Sequence, residues 1–560
     1  MTDFSIEPGD LAPALDTVFS QLNHDGFAEK LWARRSDLWT SDPSVRQSVA
    51  NRLGWLDAVE FATSHLPRIN TFVNRVRAQR VTDVVLFGMG GSSLAPEVFR
   101  HLFGRGDETP RFAVLDSTDP DAVQHALNRA ASSLFIVASK SGTTIEPNAM
   151  AAAARQRVEE AGVKEWASRF VAITDDGTAL HKRALNEGFF DVFVNPSDVG
   201  GRYSALTLFG VVPAAVIGAP LDTLLANARR MTEACRTSDA RTNPGLALGA
   251  VIGAAARAGR DKLTLLLPPS LEPLALWIEQ LVAESTGKHG RGIVPIAGET
   301  PAAAVGDDRV VVMVQLPGVS VDQGVRSALK AARVPTVTID IPSTDALGAE
   351  FFRWEIATAT AGRVLEINPF DEPNVQQAKD VTRALLDAYG ARGKLPTPAA
   401  DFRVDGIDII FSTAARTAGV SADLHSLLHE IEPRDYFGLL AYLPPDDGRF
   451  APSLTRIRND IAVNRRCATM LGYGPRYLHS TGQLHKGGAN NGVFLIVTAQ
   501  PENDLPVPDA PYSFAVLEMA QALGDFESLD RANRRAAHVH LPDRRPESFA
   551  KLADLLKTSH

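Results

Sequence analysis

From residue 82 onward, short apolar runs alternate with helix-length stretches, and this alternation constrains the fold more than any other feature. The runs are Asp83–Phe87, Phe112–Asp116, Ser133–Ala138, Phe170–Thr174 and Asp191–Val194. Runs this short and apolar suit strands buried on both faces of a parallel sheet. Helical stretches between them give the βαβ rhythm of a doubly wound α/β domain. The rhythm resumes at Leu263–Leu267, Val310–Gln315, Thr336–Ile341 and Arg363–Ile367, after a long helical stretch at 205–260. Two α/β domains are therefore expected rather than one sheet.

The flanks read differently. Phe27, Leu31 and Trp32, then Leu53, Trp55, Leu56 and Val59, fall at helical spacing. They predict a helical N-terminal cap. Residues 390–402, ARGKLPTPAADFR, read as a linker. Beyond it lie strand candidates at Ile407–Phe411, Phe437–Leu443, Val493–Thr498 and His538–Leu541. The expected division is a cap over 1–75, α/β domains over 76–240 and 241–395, and a C-terminal α/β module over 400–560.

Composition narrows the function classes. Of 560 residues, 45% are hydrophobic and 22% charged, as in ordinary globular proteins. The net charge of −9 argues against a chain-wide grip on nucleic acid or anionic lipid. It leaves room for a local basic pocket that takes a small anion. No apolar run reaches the about 18 residues of a membrane span. The closest, Gly245–Ala256, is ended by Arg257 and reads as a buried helix. The start MTDFSIEPGD lacks a basic-then-apolar signal pattern, so a cytoplasmic location is expected. Cys235 and Cys467 are too few for a disulfide framework or a Cys-rich zinc site, and two buried thiols are expected. No residue cluster has metal-ligand spacing; no metal and no cofactor is expected.

Three turns carry phosphate-type chemistry. In VLFGMGGSSLAP, residues 85–96, a strand runs into Gly88, Gly90 and Gly91, then Ser92 and Ser93, then a helix. Glycines let the backbone approach an anion, and the helix start offers free N–H groups. In FIVASKSGTTIEP, residues 135–147, Ser139, Ser141, Thr143 and Thr144 crowd one turn around Gly142, with Lys140 adding charge. In GGRYS, residues 200–204, Gly201 precedes Arg202, a cation suited to a developing oxyanion. Taken singly, these turns also suit a tight strand–helix connection, an N-cap and a surface salt bridge. Placed together after strands of one sheet, they favour a sugar-phosphate pocket over a nucleotide P-loop, whose GxxxxGK[ST] pattern is missing.

The stretch LWIEQLVAESTGKHGRG, residues 276–292, supplies a candidate base. Gln280 and Glu284 are four apart and share a helix face. A partly buried Glu284 is expected to have a raised pKa and to move protons; a capping or salt-bridged glutamate is the alternative.

GMGGSS, SKSGTT, GGRYS and QxxxESxGK, in that order, resemble the glucose-6-phosphate isomerase family over about residues 50–390. The resemblance implies two sugar-isomerase (SIS) domains, each a flavodoxin-like α/β sandwich. INPFDEPNVQQAK matches the family's late lysine pattern and assigns Lys379, but Glu372 stands where the family has Gln. The family's ring-opening histidine, in a segment like HSxGQ, is missing from its usual place: residues 290–424 contain no histidine. RYLHSTGQLHKGG at 476–488 fits it, with His479, Ser480, Gly482, Gln483 and Gly488 in register. This region is similar to the isomerase half of transaldolase–isomerase fusions. His485, at another offset in the same loop, and His289, beside Glu284, stay open as alternatives.

What the resemblance implies is interconversion of glucose 6-phosphate and fructose 6-phosphate. Ser92, Ser139, Ser141, Thr143 and Thr144, with Gly91, Gly201 and Lys140, would hold the phosphate. His479 and Lys379 would open the ring. Glu284 would carry a proton between C2 and C1 through a cis-enediol, Arg202 would stabilise its charge and Gln280 would orient the sugar. The family draws its histidine from a neighbouring subunit; supplied within one chain, it leaves monomer and homodimer both open. The rival readings are an isomerase also acting on mannose 6-phosphate and a non-catalytic SIS regulator.

Overall fold

The computed structural model describes residues 3–104, 109–421, 423–445 and 448–557. The chain divides into two compact units. The first comprises 1–115, 129–286 and 292–371, and the second 116–128, 287–291 and 372–560.

The first unit holds two sheets. One orders its strands Arg111–Leu115, Asp83–Phe87, Ser133–Ala138, Phe170–Asp175 and Asp191–Asn195, all parallel. Numbered along the chain, this is order 2-1-3-4-5, that of flavodoxin-like folds. Ser133–Ala138 is buried at every position, which is why its sequence, SLFIVA, is apolar throughout instead of alternating. In the other sheet Val294–Ile296, Lys262–Leu266, Arg309–Gln315 and Thr336–Asp340 repeat order 2-1-3-4 in parallel.

The fifth place in that second sheet belongs to Asp3–Glu7, antiparallel to Thr336–Asp340 with Asp3 opposite Asp340. The expectation of an all-helical start is thus corrected at its first residues. Pro8 and Gly9 stop the strand, and the helices Ala12–His24, Phe27–Trp32, Pro43–Ala50 and Ala58–Ala78 then follow as expected. Arg363–Ile367 is also corrected. It closes the helix Leu347–Val364, whose interior is buried from end to end, so an apolar run there reflects burial and not a strand. Gly245–Ala256 lies within the buried helix Pro244–Arg257, which Asn243 caps by accepting from the N–H groups of Gly245 and Leu246.

The second unit holds a third sheet. Ala468–Tyr473, Tyr436–Tyr442, Gly492–Ala499 and Arg535–Leu541 again run in parallel in order 2-1-3-4. Ile407–Phe411 adds antiparallel in fifth place, and Phe402–Val404 pairs outside it. The helix Val375–Arg392 ends at Gly393 in the left-handed conformation, and an irregular stretch leads to Phe402. Among the described residues no helix is long and apolar enough to cross a membrane. Cys235 and Cys467 are both buried thiols, as expected.

Candidate active site

The first two turn motifs follow Asp83–Phe87 and Ser133–Ala138, adjacent strands at the point where the strand order reverses. Ligands of doubly wound sheets bind there, outside the carboxyl ends of the strands. The turn Gly90–Ser92 packs directly on Gly201–Tyr203: a Cβ on Gly91 would sit 2.0 Å from the carbonyl oxygen of Gly201. Ser204 fastens the pair, its hydroxyl donating to Gly201 O at 2.6 Å and Gly91 O at 3.3 Å. Two motifs far apart in sequence therefore form one backbone surface.

In the SKSGTT turn the hydroxyls cluster as expected. Ser139 Oγ and Thr144 Oγ1 are 3.0 Å apart, Ser141 Oγ and Thr143 Oγ1 3.1 Å, and the Gly142 N–H donates to Ser139 Oγ at 3.1 Å. Thr144 precedes the helix Ile145–Glu160 without capping it through its side chain. Lys140 has protein partners of its own beside this turn. Its ammonium pairs with Asp175, at the end of the next strand, and donates to Ser197 O at 2.9 Å. Burial pushes the Asp175 carboxyl up against the pull of Lys140. The lysine thus braces the turn from its neighbouring strand.

Glu284 lies in the last turn of the helix Glu272–Thr286. The four-residue spacing brings Gln280 Nε2 to Glu284 Oε2 at 3.1 Å. On the other oxygen, Arg202 Nη1 stands 3.2 Å from Oε1. The guanidinium is buried and spreads its remaining donors: Nε to Ser285 Oγ at 2.8 Å, Nη2 to Pro369 O at 2.9 Å and Asp371 O at 3.0 Å. Arg202 therefore joins the GGRYS turn, the end of the glutamate's helix and the NPFD segment. Glu284 is an ion-paired carboxylate, not an acid isolated by burial, and a charge-assisted pair of this kind fixes its geometry. Ser285 Oγ also lies 3.5 Å from the hydroxyl of Tyr203.

Lys379 and His479 belong to the second unit. Lys379 lies on the helix Val375–Arg392, which begins after Asn374. His479 ends the short turn Arg476–His479 that follows the strand Ala468–Tyr473. His485 is sealed off. Its ring lies among Phe494 at 4.9 Å, Tyr477 at 6.0 Å and Tyr436 at 6.4 Å, and neither ring nitrogen has a hydrogen-bond partner among the described residues. Burial holds its pKa well below the usual imidazole range, with Lys486 and Arg534 adding to the effect. His289 is exposed, in left-handed backbone at φ 55°. Glu372 follows Asp371, and its carbonyl accepts from Val375 N at 3.3 Å.

Four contributors are not singled out by sequence: Ser285, Asp175 and the carbonyls of Pro369 and Asp371. Ser285 stood inside the quoted ES motif. Asp175 and the two carbonyls carried no signal, because any residue supplies a carbonyl and strand-end acids are common.

Comparison with known proteins places these motifs. The phosphoglucose isomerase family model matches residues 56–306, which include every site residue named above from Gly91 to Glu284. A glucose-6-phosphate isomerase from Parasynechococcus marenigrum is 30% identical over 399 residues, covering 64% of this chain and 71% of the relative. One from Prochlorococcus marinus strain MIT 9313 is 27% identical over 454 residues, covering 74% and 78%. Among solved structures, a hypothetical protein of Thermus thermophilus aligns with TM-score 0.57 at 24% identity, over 69% of this chain and 99% of that one. A glucose-6-phosphate isomerase from Chlamydia trachomatis aligns with TM-score 0.51 at 20% identity, over 66% and 79%. The two structures share the fold; the sequence relatives extend the likeness to the family. With Glu284, Arg202 and the hydroxyl turn all inside the matched region, and a glucose-6-phosphate isomerase of 30% identity covered over 71% of its length, the chain belongs to the phosphoglucose isomerase family.

Proposed function

We propose that this isomerase interconverts glucose 6-phosphate and fructose 6-phosphate, with Glu284 as the base. The observation that carries the reading is the arrangement of Gln280, Glu284 and Arg202 on one carboxylate. Such a carboxylate can take a proton from C2 while the C1 carbonyl gains the negative charge of an enediolate. Returning that proton to C1, while the proton of the C2 hydroxyl passes to O1, turns aldose into ketose, and the reverse order runs the reaction back. Arg202, already beside the carboxylate, offers its positive charge to the developing oxyanion. The hydroxyls of Ser92, Ser139, Ser141, Thr143 and Thr144, with the backbone at Gly91 and Gly201, hold the phosphate. Binding at that remote end positions C1 and C2. Lys140 supports this turn through Asp175.

His479 and Lys379 open the sugar ring in this proposal by exchanging protons with the ring oxygen and the anomeric hydroxyl. Burial of His485 favours His479 within the loop. The C-terminal segment beyond residue 400 is then part of the enzyme and no appendage. Purified protein given fructose 6-phosphate, with glucose-6-phosphate dehydrogenase as the coupling enzyme, should form NADPH at a rate proportional to its concentration. No NADPH from folded protein would sink the reading.

A further inference from the structure

The HSTGQLHKGG loop contains a buried amide that binds chain on three sides. Gln483 is fully buried, on the short helix Gly482–Gly487. Its Nε2 donates to Gly287 O at 2.9 Å and to Asn374 Oδ1 at 2.8 Å, and its Oε1 accepts from Asn374 N at 2.8 Å. One side chain thus uses both amide hydrogens and its carbonyl on two segments far away in sequence. Gly287 follows the helix that carries Glu284, and Asn374 immediately precedes the helix that carries Lys379.

The surroundings are built for this knot. A Cβ on Gly487 would meet Asn374 Oδ1 at 2.5 Å, Gln483 Nε2 at 2.6 Å and Gly287 O at 2.8 Å, so only glycine leaves room. Gly290 N donates to Gly487 O at 2.9 Å, a second tie to the 287–291 segment. From behind, buried Arg534 donates to Lys486 O at 2.8 Å and Gly488 O at 2.7 Å. Buried Lys486 pairs with Asp525 at 2.5 Å. The amide therefore sits on a rigid mount, which is what makes a hydrogen bond a positional constraint.

We propose that Gln483 is a positioning residue of the isomerase reaction. It ties the chain leaving the Glu284 helix and the start of the Lys379 helix to the loop that bears His479. This rests on the function proposed above. A glutamate at this position would set a carboxylate against two carbonyl-type acceptors, and an alanine would leave those acceptors and Asn374 N unpaired.

The test compares Q483E, Q483A and N374D with the unaltered chain, measuring kcat, KM, Tm and inhibition by glucitol 6-phosphate. That open-chain ligand needs no ring opening and reports binding of the phosphate and the open chain without turnover. Both Gln483 variants should lose about 10- to 100-fold in kcat, as expected when reacting groups shift by a fraction of an ångström to an ångström. Their KM and glucitol 6-phosphate inhibition should stay within about twofold, the pattern of a lost transition-state interaction. N374D keeps the acceptor for Nε2 and should retain activity within about threefold. If an active parent chain tolerates both Gln483 variants, this inference falls alone. It falls equally if kcat, inhibitor binding and Tm collapse together, which marks a merely structural role. An inactive parent chain overturns the proposed function and this inference with it.

Discussion

Arg202 and Glu284 face each other at 3.2 Å, a guanidinium from one strand-end turn set on a carboxylate from the last turn of a distant helix. Charge, burial and fixed geometry meet at this one contact.

Glu284→Gln removes the proton acceptor while keeping shape and the neighbouring amide. Positioned bases contribute about 10²- to 10⁴-fold, so kcat should fall by at least that range. Binding of glucitol 6-phosphate, followed by calorimetry, should survive. Turnover within tenfold of the parent would remove Glu284 from the base role.

Arg202→Lys keeps the charge and loses the fork. One ammonium cannot reach Glu284, Ser285, Pro369 O and Asp371 O together. The Ser285 hydroxyl and the Pro369 carbonyl are buried, and each left unpaired costs about 1–3 kcal/mol. A drop in kcat of about 10²-fold or more is expected, with a lower Tm by calorimetry. A variant matching the parent in both measurements would contradict the assignment.

His479→Ala and His485→Phe should separate cleanly. The first should lose most turnover on ring-closed sugar. The second places a phenyl ring in the cage of Tyr436, Tyr477 and Phe494 and should keep activity. It should also change acid stability. Because His485 stays neutral when folded, its unfolded form gains a proton as pH falls through the ordinary imidazole range, and stability is lost there. His485→Phe removes that loss, so thermal melts should show its advantage widening toward acid pH.

Glu355 is fully buried on the helix Leu347–Val364, and neither carboxyl oxygen has a hydrogen-bond partner among the described residues. Burial holds its pKa well above the usual carboxylate range. With the folded value raised, its stability contribution is full below the unfolded pKa and declines as pH rises toward the folded one. The slope approaches about 1.4 kcal/mol per pH unit. Glu355→Gln should therefore gain on the parent as pH climbs from about 5 to about 8. Parallel Tm curves would show that Glu355 ionises freely.

The parallel sheets are legible because their central strands are buried on both faces and carry little polar alternation; Ser133–Ala138 and Asp83–Phe87 match their expected bounds to the residue. Ala468–Tyr473 was not, since ATMLGY mixes small and polar residues and gains strand geometry only from its neighbour Tyr436–Tyr442. Val294–Ile296 is three residues long with a central proline, tolerable at an edge but without a local signal. At the site, the i, i+4 pairing of Gln280 with Glu284 could be seen from spacing alone. The grip of Arg202 could not, because its partners lie 82 to 169 positions away. Gln483 is legible as a letter of the HSTGQ motif, but its bonds to Gly287 and Asn374 exist only once the chain has folded.

The pairing of Asp3–Glu7 with Thr336–Asp340 bears on how the protein is made. On the ribosome Asp3 emerges more than three hundred residues before Asp340, and the edge it covers does not exist until then. The first sheet, complete by Asn195, can close early; the second must wait. Contacts that distant are slow to form, and an uncovered edge invites foreign strands meanwhile. The first strand of this sheet to be made is thus the last of it to dock, and a tag fused ahead of it would be felt more in yield than in turnover.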